Sequence, residues 1–155
     1  MRAVAVLFVL VSLAACSQSG DGGMVERKSP AGVAPPVADY SHIAVAPAGS
    51  EIVVLAGQIG ADPKGNLPPD AETQFENALV NVKKLLASER LGPEHIIKAN
   101  IWLAGPIERP RYLEAWAAFH GGSPPPLTLA YASALARPEY LVEVEVWAAR
   151  PAAKK

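Results

Sequence analysis

A single cysteine, Cys16, in 155 residues excludes an internal disulfide and a cysteine-rich zinc site. Charge of one sign is lacking too. Fourteen basic against fifteen acidic residues leave a net charge of −1 and a pI near 6.3, with no electrostatic footprint for nucleic acid. There is no phosphate loop, nucleophile motif or metal-binding motif, so neither a metal nor a cofactor is expected. His42, His95 and His120 stand apart without metal-ligand spacing and read as surface or element-end residues. Gly121-Gly122-Ser123-Pro124 is a loop and not a dinucleotide fingerprint. What is present is a composition half hydrophobic and 19% charged, which suits a folded domain and not a disordered chain. Fifteen prolines and twelve glycines should gather in a tail and in loops.

The first residues read as a targeting segment. Met1-Arg2 supplies one charge, and Ala3 to Leu13 is apolar except for Ser12. Such a run suits an export signal and is too short to span a bilayer comfortably. The chain's one cysteine follows the small pair Ala14-Ala15, and Leu13-Ala14-Ala15-Cys16 resembles a bacterial lipobox. That resemblance implies cleavage before Cys16 and lipid attached to its sulfur. The alternative is a plain secretory signal with an incidental cysteine. Multiple acyl chains on one residue anchor stably where a single chain does not. Ser17, where an aspartate commonly retains lipoproteins at the inner membrane, points to an outer-membrane lipoprotein facing the periplasm. Residues 1–15 are then the signal peptide. Residues 16–37, rich in Gly, Ser, Pro and charge without an apolar period, read as a flexible tether. Residues 38–151 form one domain, long enough for a two-layer core.

Within the domain the pattern predicts ββαβαββ. Residues 42–46 and 51–57 are β-branched runs, and Pro47-Ala48-Gly49-Ser50 between them reads as a hairpin turn. Asp70 is placed to cap a helix in which Phe75, Ala78, Leu79, Val82, Leu85 and Leu86 recur at helical spacing. Residues 96–103 form a third strand. A second helix over 109–120 carries Leu113, Trp116 and Ala117 on one face, and strands over 127–133 and 141–148 follow. Helices between strands favour parallel pairing, and the hairpin makes the sheet mixed. Two helices can cover only one face of it. On the other face Lys98, Asn100 and Trp102 of one strand would join Glu143, Glu145 and Trp147 of another. Aromatics rimmed by polar groups mark an interface, so Trp102 and Trp147 are expected to join copies of the chain; a solvated face with scattered tryptophans is the alternative.

The element order, Ala56-Gly57-Gln58-Ile59, Asp62-Pro63-Lys64-Gly65, the helix bearing Gln74, Asn77, Ala78 and Asn81-Val82-Lys83, and Leu141-Val142-Glu143-Val144-Glu145 together resemble the RidA/YjgF family over the whole domain. Its members are called reactive intermediate deaminases, or endoribonuclease L-PSP in older usage. The resemblance implies a chorismate-mutase-like α+β protomer with two helices on one face of a mixed sheet. It also implies a homotrimer with ligand clefts between protomers. Family members that deaminate 2-imino or 2-enamino acids hold the substrate carboxylate through an arginine in a Pro-Ala-Arg-Ser/Thr segment. The matching segment here is Pro125-Pro126-Leu127-Thr128, so Leu127 stands in the anchor's place. The family glutamate that works on water matches Glu143, and its aromatic matches Tyr40. Ala56 replaces a serine before Gly57, and Leu113 replaces an asparagine.

A guanidinium fork pairs both oxygens of a carboxylate, and leucine would instead penalise burying one. The expected ligand site therefore comprises Tyr40, Gly57, Leu113, Leu127 and Thr128, with Glu143 as the one catalytic candidate, and it suits a small noncarboxylated molecule. Three functions compete: a lipid-anchored trimeric binder, with hydrolysis of an imine or enamine as its chemistry if it is an enzyme; a 2-iminoacid deaminase with a repositioned anchor; and a non-catalytic structural trimer of the envelope. Arg109, Arg111 and Arg137 lie nearby in sequence, none in the matching position. Nucleic acid is not an expected partner.

Overall fold

A computed structural model describes residues 24–153. The export signal, Cys16 and the start of the expected tether lie outside the described residues. Six strands and two helices follow one another: β1 (Glu26–Lys28), β2 (Ile43–Val45), β3 (Glu51–Gln58), α1 (Ala71–Ser88), β4 (Ile96–Leu103), α2 (Arg109–His120), β5 (Leu127–Tyr131) and β6 (Val142–Arg150). A 3-10 turn at Pro93–His95 leads into β4. This is the expected α+β arrangement with one further strand, β1, inside the stretch read as tether.

The main sheet has the order β3-β6-β4-β5. Only β4 and β5, joined through α2, run parallel, while β6 lies antiparallel between β3 and β4. The hairpin expected between the first two predicted strands is not the pairing found. Ser50 N–H does close the turn on the Pro47 carbonyl at 3.2 Å, but β2 pairs with β1, Ile43 opposite Lys28. Arg27 accounts for this. Its guanidinium reaches out of β1 to the carbonyls of Pro93 and Ile96, each at 2.7 Å, to Ser123 Oγ at 3.1 Å and to the Ser123 carbonyl. Partial burial lowers its pKa, against an opposing field from Glu94. These bonds fix β1 beside the start of β4, and β2 follows β1.

The cap of α1 is the expected one: Asp70 Oδ1 accepts from Thr73 N–H at 2.8 Å. Phe75, Ala78, Leu79, Val82 and Leu86 turn inward as their spacing predicts, whereas Leu85 at the stripe's margin stays exposed. The α2 face differs from the expected one by a rotation. Tyr112, Trp116 and Phe119 are buried, Leu113 is half-buried, and Ala117 is exposed. Contacts outside the helix set that rotation: Tyr112 packs on Phe75 of α1 at 4.9 Å and the Trp116 indole N–H donates to the Asp39 carbonyl at 2.7 Å, while Trp116 and Phe119 stack on each other within the helix at 5.4 Å. Gly121 ends the helix at φ 61°, a left-handed conformation that glycine adopts without a Cβ penalty. Helices and sheet enclose one core, to which Ala99, Ile101, Leu103, Val142, Val144 and Val146 contribute the sheet's inner face.

Candidate functional site

Alternation along β4 and β6 places Lys98, Asn100, Trp102, Glu143, Glu145 and Trp147 on the face opposite the helices, as expected. In register, Lys98 meets Trp147, Asn100 meets Glu145, and Trp102 meets Glu143. Trp102 and Trp147 are 36% and 44% exposed, and Ile52 and Val54 of β3 extend the apolar area beside them. The two tryptophans alone would leave a wet sheet with scattered rings. The added aliphatics make one broad uncovered surface.

Glu143 occupies a shaped position on this surface. A register shift in β3 between Leu55 and Gln58 brings Gly57 under its side chain. A Cβ at residue 57 would fall inside the Glu143 carboxyl group, so only glycine leaves room. The carboxylate thus lies between the bare backbone of Gly57 and the register partner Trp102, with no hydrogen-bonded cation among the described residues. On the neighbouring strand β4, Lys98 Nζ donates to Thr128 Oγ1 of β5 at 2.5 Å, and burial lowers the lysine's pKa. The Trp147 indole N–H is held by Glu145 Oε1 at 2.9 Å.

The other expected site residues lie elsewhere on the protomer. Leu127 pairs with buried Ala99, so it packs on the helix side of the sheet, the side opposite Glu143. Thr128, the next residue, alternates to the open face. Leu113 packs half-buried against the core from α2. Tyr40 stands edge-on to His42, ring centroids 5.6 Å apart. Within one chain, then, Gly57, Thr128 and Glu143 share a face, and Tyr40, Leu113 and Leu127 do not join them.

Sequence reasoning missed how Tyr40 is positioned. Its neighbour Asp39 accepts from the Trp116 indole N–H at 2.7 Å through its carbonyl, and from His120 Nε2 at 2.7 Å through its carboxylate. His120 Nδ1 accepts from Gly122 N–H at 3.2 Å, which leaves Nε2 as the donor. His120 does sit at an element end, but it is buried with both nitrogens engaged, and its role is to bolt this segment to α2. The partners are 81 residues apart, and no local spacing announces such a pair. Above it, burial pushes the Tyr112 phenol up to about 12, with Arg109, Tyr131 and Asp39 as the charged or ionisable groups around it. Among the described residues no cluster of three or more His, Cys, Asp or Glu is placed to hold a metal ion. No helix among them is long and apolar enough to cross a membrane.

The family model described as endoribonuclease L-PSP matches residues 31–150. The chain belongs to that family, the RidA/YjgF group. The chain is similar in structure to the Rid-family protein YyfB of Yersinia pestis, with a TM-score of 0.71 and 22% identity over 80% of this chain and 97% of that one. RidA of an Antarctic Psychrobacter matches with a TM-score of 0.59 and 21% identity, over 81% of this chain and 96% of that one. NMB1025 of Neisseria meningitidis, a YjgF-family member, matches with a TM-score of 0.57 and 23% identity, over 83% and 97%. These likenesses establish the fold. No curated protein matches the chain.

Proposed function

We propose that this L-PSP-family protein is a lipid-anchored homotrimer of the bacterial envelope, held at the outer membrane through Cys16 and facing the periplasm. It binds a small, neutral, noncarboxylated ligand in clefts between protomers. The observation that carries the reading is the placement of Glu143 over Gly57 on an open, tryptophan-bearing face. Tyr40, Leu113 and Leu127 lie away from that face, so a cleft containing both groups needs a second copy. Leu127 offers a ligand no cation, and Glu143 offers it an acceptor. On an imine, or an enamine once it has tautomerised to one, the carboxylate can take a proton from a water whose oxygen adds to the C=N carbon; returning that proton to nitrogen lets the C–N bond break, releasing ammonia and leaving a carbonyl compound.

Native mass spectrometry of the full chain, extracted from a Gram-negative host in detergent, tests this. A trimer retaining a neutral small molecule, with the mass of lipid on each Cys16, is expected. Glu143→Gln should lose the bound molecule and keep the trimer, and Cys16→Ser should lose the lipid alone. A monomer, or a Glu143→Gln trimer as fully loaded as wild type, would overturn the cleft. A parallel assay, ammonia release from 2-imino acids generated by an amino-acid oxidase, should show no acceleration over the uncatalysed rate. Acceleration there would instead support a deaminase with a repositioned anchor.

A further inference from the structure

The small β1–β2 sheet has an outward face of its own, separate from the main sheet. Glu26 and Lys28 of β1 meet Val45 and Ile43 of β2 in register, and all four side chains are exposed, while Arg27 and Ala44 between them are half-buried. Glu26 and Lys28 neutralise one another at 3.0 Å. Met24, just ahead of β1, is 62% exposed, and Val37 on the segment joining the two strands is 86% exposed, with Val33 beside it exposed too. From Ser29 to Ser50 the one charged residue is Asp39, and its carboxylate is bonded to buried His120. His42 in the same stretch lies edge-on to Tyr40. The chain as a whole is 19% charged, so a surface stretch with no free charge is unlike the rest of its exterior. The Arg27 bonds to Pro93, Ile96 and Ser123 hold this apolar face in place. Its distance from Cys16 is short. Seven residues, Ser17 to Gly23, separate Cys16 from Met24. Fully extended they reach about 30 Å, and as a Gly/Ser-rich coil about 15 Å. The folded part therefore starts much nearer Cys16 than a tether running to residue 37 would place it.

We infer that the outer face of β1–β2, with Met24 and the Val33–Val37 segment, rests on the phospholipid surface that holds the Cys16 lipid. This rests on the lipid anchor proposed above, and it names the surface that the anchored domain turns to the membrane. Met24, Ile43 and Val45 leave water at the headgroup boundary, and the alanines and prolines of the loop bring no charge to desolvate. Such a patch is too small to hold a free domain on a bilayer. The short tether raises its local concentration to the order of millimolar, so a weak contact suffices. A membrane suits the face better than a second copy of the chain. The anchor brings lipid to it at a short fixed distance, and it lacks the tryptophans that mark the open face of the main sheet. Lys28 is paired and Arg27 is turned inward, so the contact is apolar and needs no anionic lipid.

Depth-dependent quenching on the full lipidated chain tests the inference. The chain is purified from a Gram-negative host and reconstituted in phosphatidylcholine vesicles, with or without phosphatidylglycerol. Ile43→Cys gives a thiol for a small fluorophore, the Cys16 sulfur being blocked by its lipid. Ser133→Cys, beyond the end of β4 far from Arg27, serves as the control position. Bromine-substituted acyl chains should quench the label at residue 43 and leave the label at residue 133 bright. Phosphatidylglycerol and added salt should not change this. Met24→Asp or Val45→Asp should each bring the quenching at residue 43 down toward the control, with the lipid mass on Cys16 kept. Met24 lies outside the strands, so its variant cannot act by unpairing them. Equal quenching at the two positions would overturn the contact, as would quenching confined to anionic vesicles and lost in salt. A label at residue 43 shielded from aqueous iodide yet untouched by bromolipid would put a second copy on the face and overturn it too. A chain without lipid mass on Cys16 would overturn the anchor and the contact together, whereas lipid without selective quenching would overturn the contact alone.

Discussion

Asp70 and Asp62 show how much a single exposed carboxylate can organise. Asp70 caps α1, and the backbone hydrogen bond from Thr73 holds its pKa below the ordinary 3.8. Asp62 accepts from the backbone of Lys64 and Asn66 and from the Asn66 amide, each at 2.8 Å, and its pKa is lowered chiefly by that amide. Both pKa values are depressed by folding. The stability they contribute is fully present above about pH 4, the unfolded range, and is lost as pH falls through the folded values. Asp70→Asn keeps a capping oxygen but cannot titrate. Its urea midpoint should lie at or slightly below wild type at pH 7 and fall less steeply between pH 5 and about pH 2. Parallel midpoints over that range would show that the cap does not titrate with folding. Asp70 was readable from sequence because a cap bonds three residues ahead. The seat of Glu143 was half readable: the motif marked both Glu143 and Gly57, but only the register shift in β3 explains why they touch. The bolt from Asp39 to His120 was not readable at all, since it joins residues that only the fold brings together.

Elements were legible where the signal was periodic. The length of α1, its cap and most of its inner stripe follow from spacing. The face of α2 differs from the expected one because Leu113 and Ala117 are apolar without being innermost, and the contacts of Tyr112 with Phe75 and of Trp116 with the Asp39 carbonyl fix the helix's rotation. β1 is three residues, Glu-Arg-Lys, with no apolar period, and only the four acceptors around the Arg27 guanidinium explain it. The seam between α1 and the last loop depends on Gln74, which is 1% exposed. Its amide donates to the carbonyls of Pro68 at 2.8 Å and Glu139 at 3.0 Å, and its Oε1 accepts from Leu141 N–H at 2.9 Å. Asn77 and Asn81 work similarly, tying α1 to the carbonyls of Gly60, Ile59 and Ala61. These family-like amides thus have structural work, and none needs a ligand. Gln74→Leu keeps the volume and strands three backbone groups, so it should cost about 3 kcal/mol of unfolding free energy, seen as a lower urea midpoint with unchanged slope. A change within about 0.5 kcal/mol would mean that water replaces the amide without loss.

At the scale of the whole molecule, the sheet presents one covered and one uncovered face. The composition of the uncovered face was legible because strand alternation is a strict period of two. The strand order was not, since placing β6 between β3 and β4 depends on long-range pairing that no local pattern encodes. A face with Ile52, Val54, Trp102 and Trp147 exposed is costly to leave in water, and a second copy is the occupant proposed for it. Trp147 is the most informative position to change. It lies between Val54 and Lys98 in register, and its indole is already fixed by Glu145, so little side-chain entropy is lost when a partner covers it. Trp147→Glu would put a second carboxylate next to Glu145 and desolvate both on association. Sedimentation at micromolar protein should show wild type as a trimer, Trp147→Phe as a somewhat weaker trimer, and Trp147→Glu as a folded monomer. The inner face at this strand position is made by Val146 and Ala148, which the substitution does not touch, so the monomer should retain its circular dichroism. A Trp147→Glu protein that remained trimeric would place the assembly on some other surface, and the cleft at Glu143 would lose its second wall.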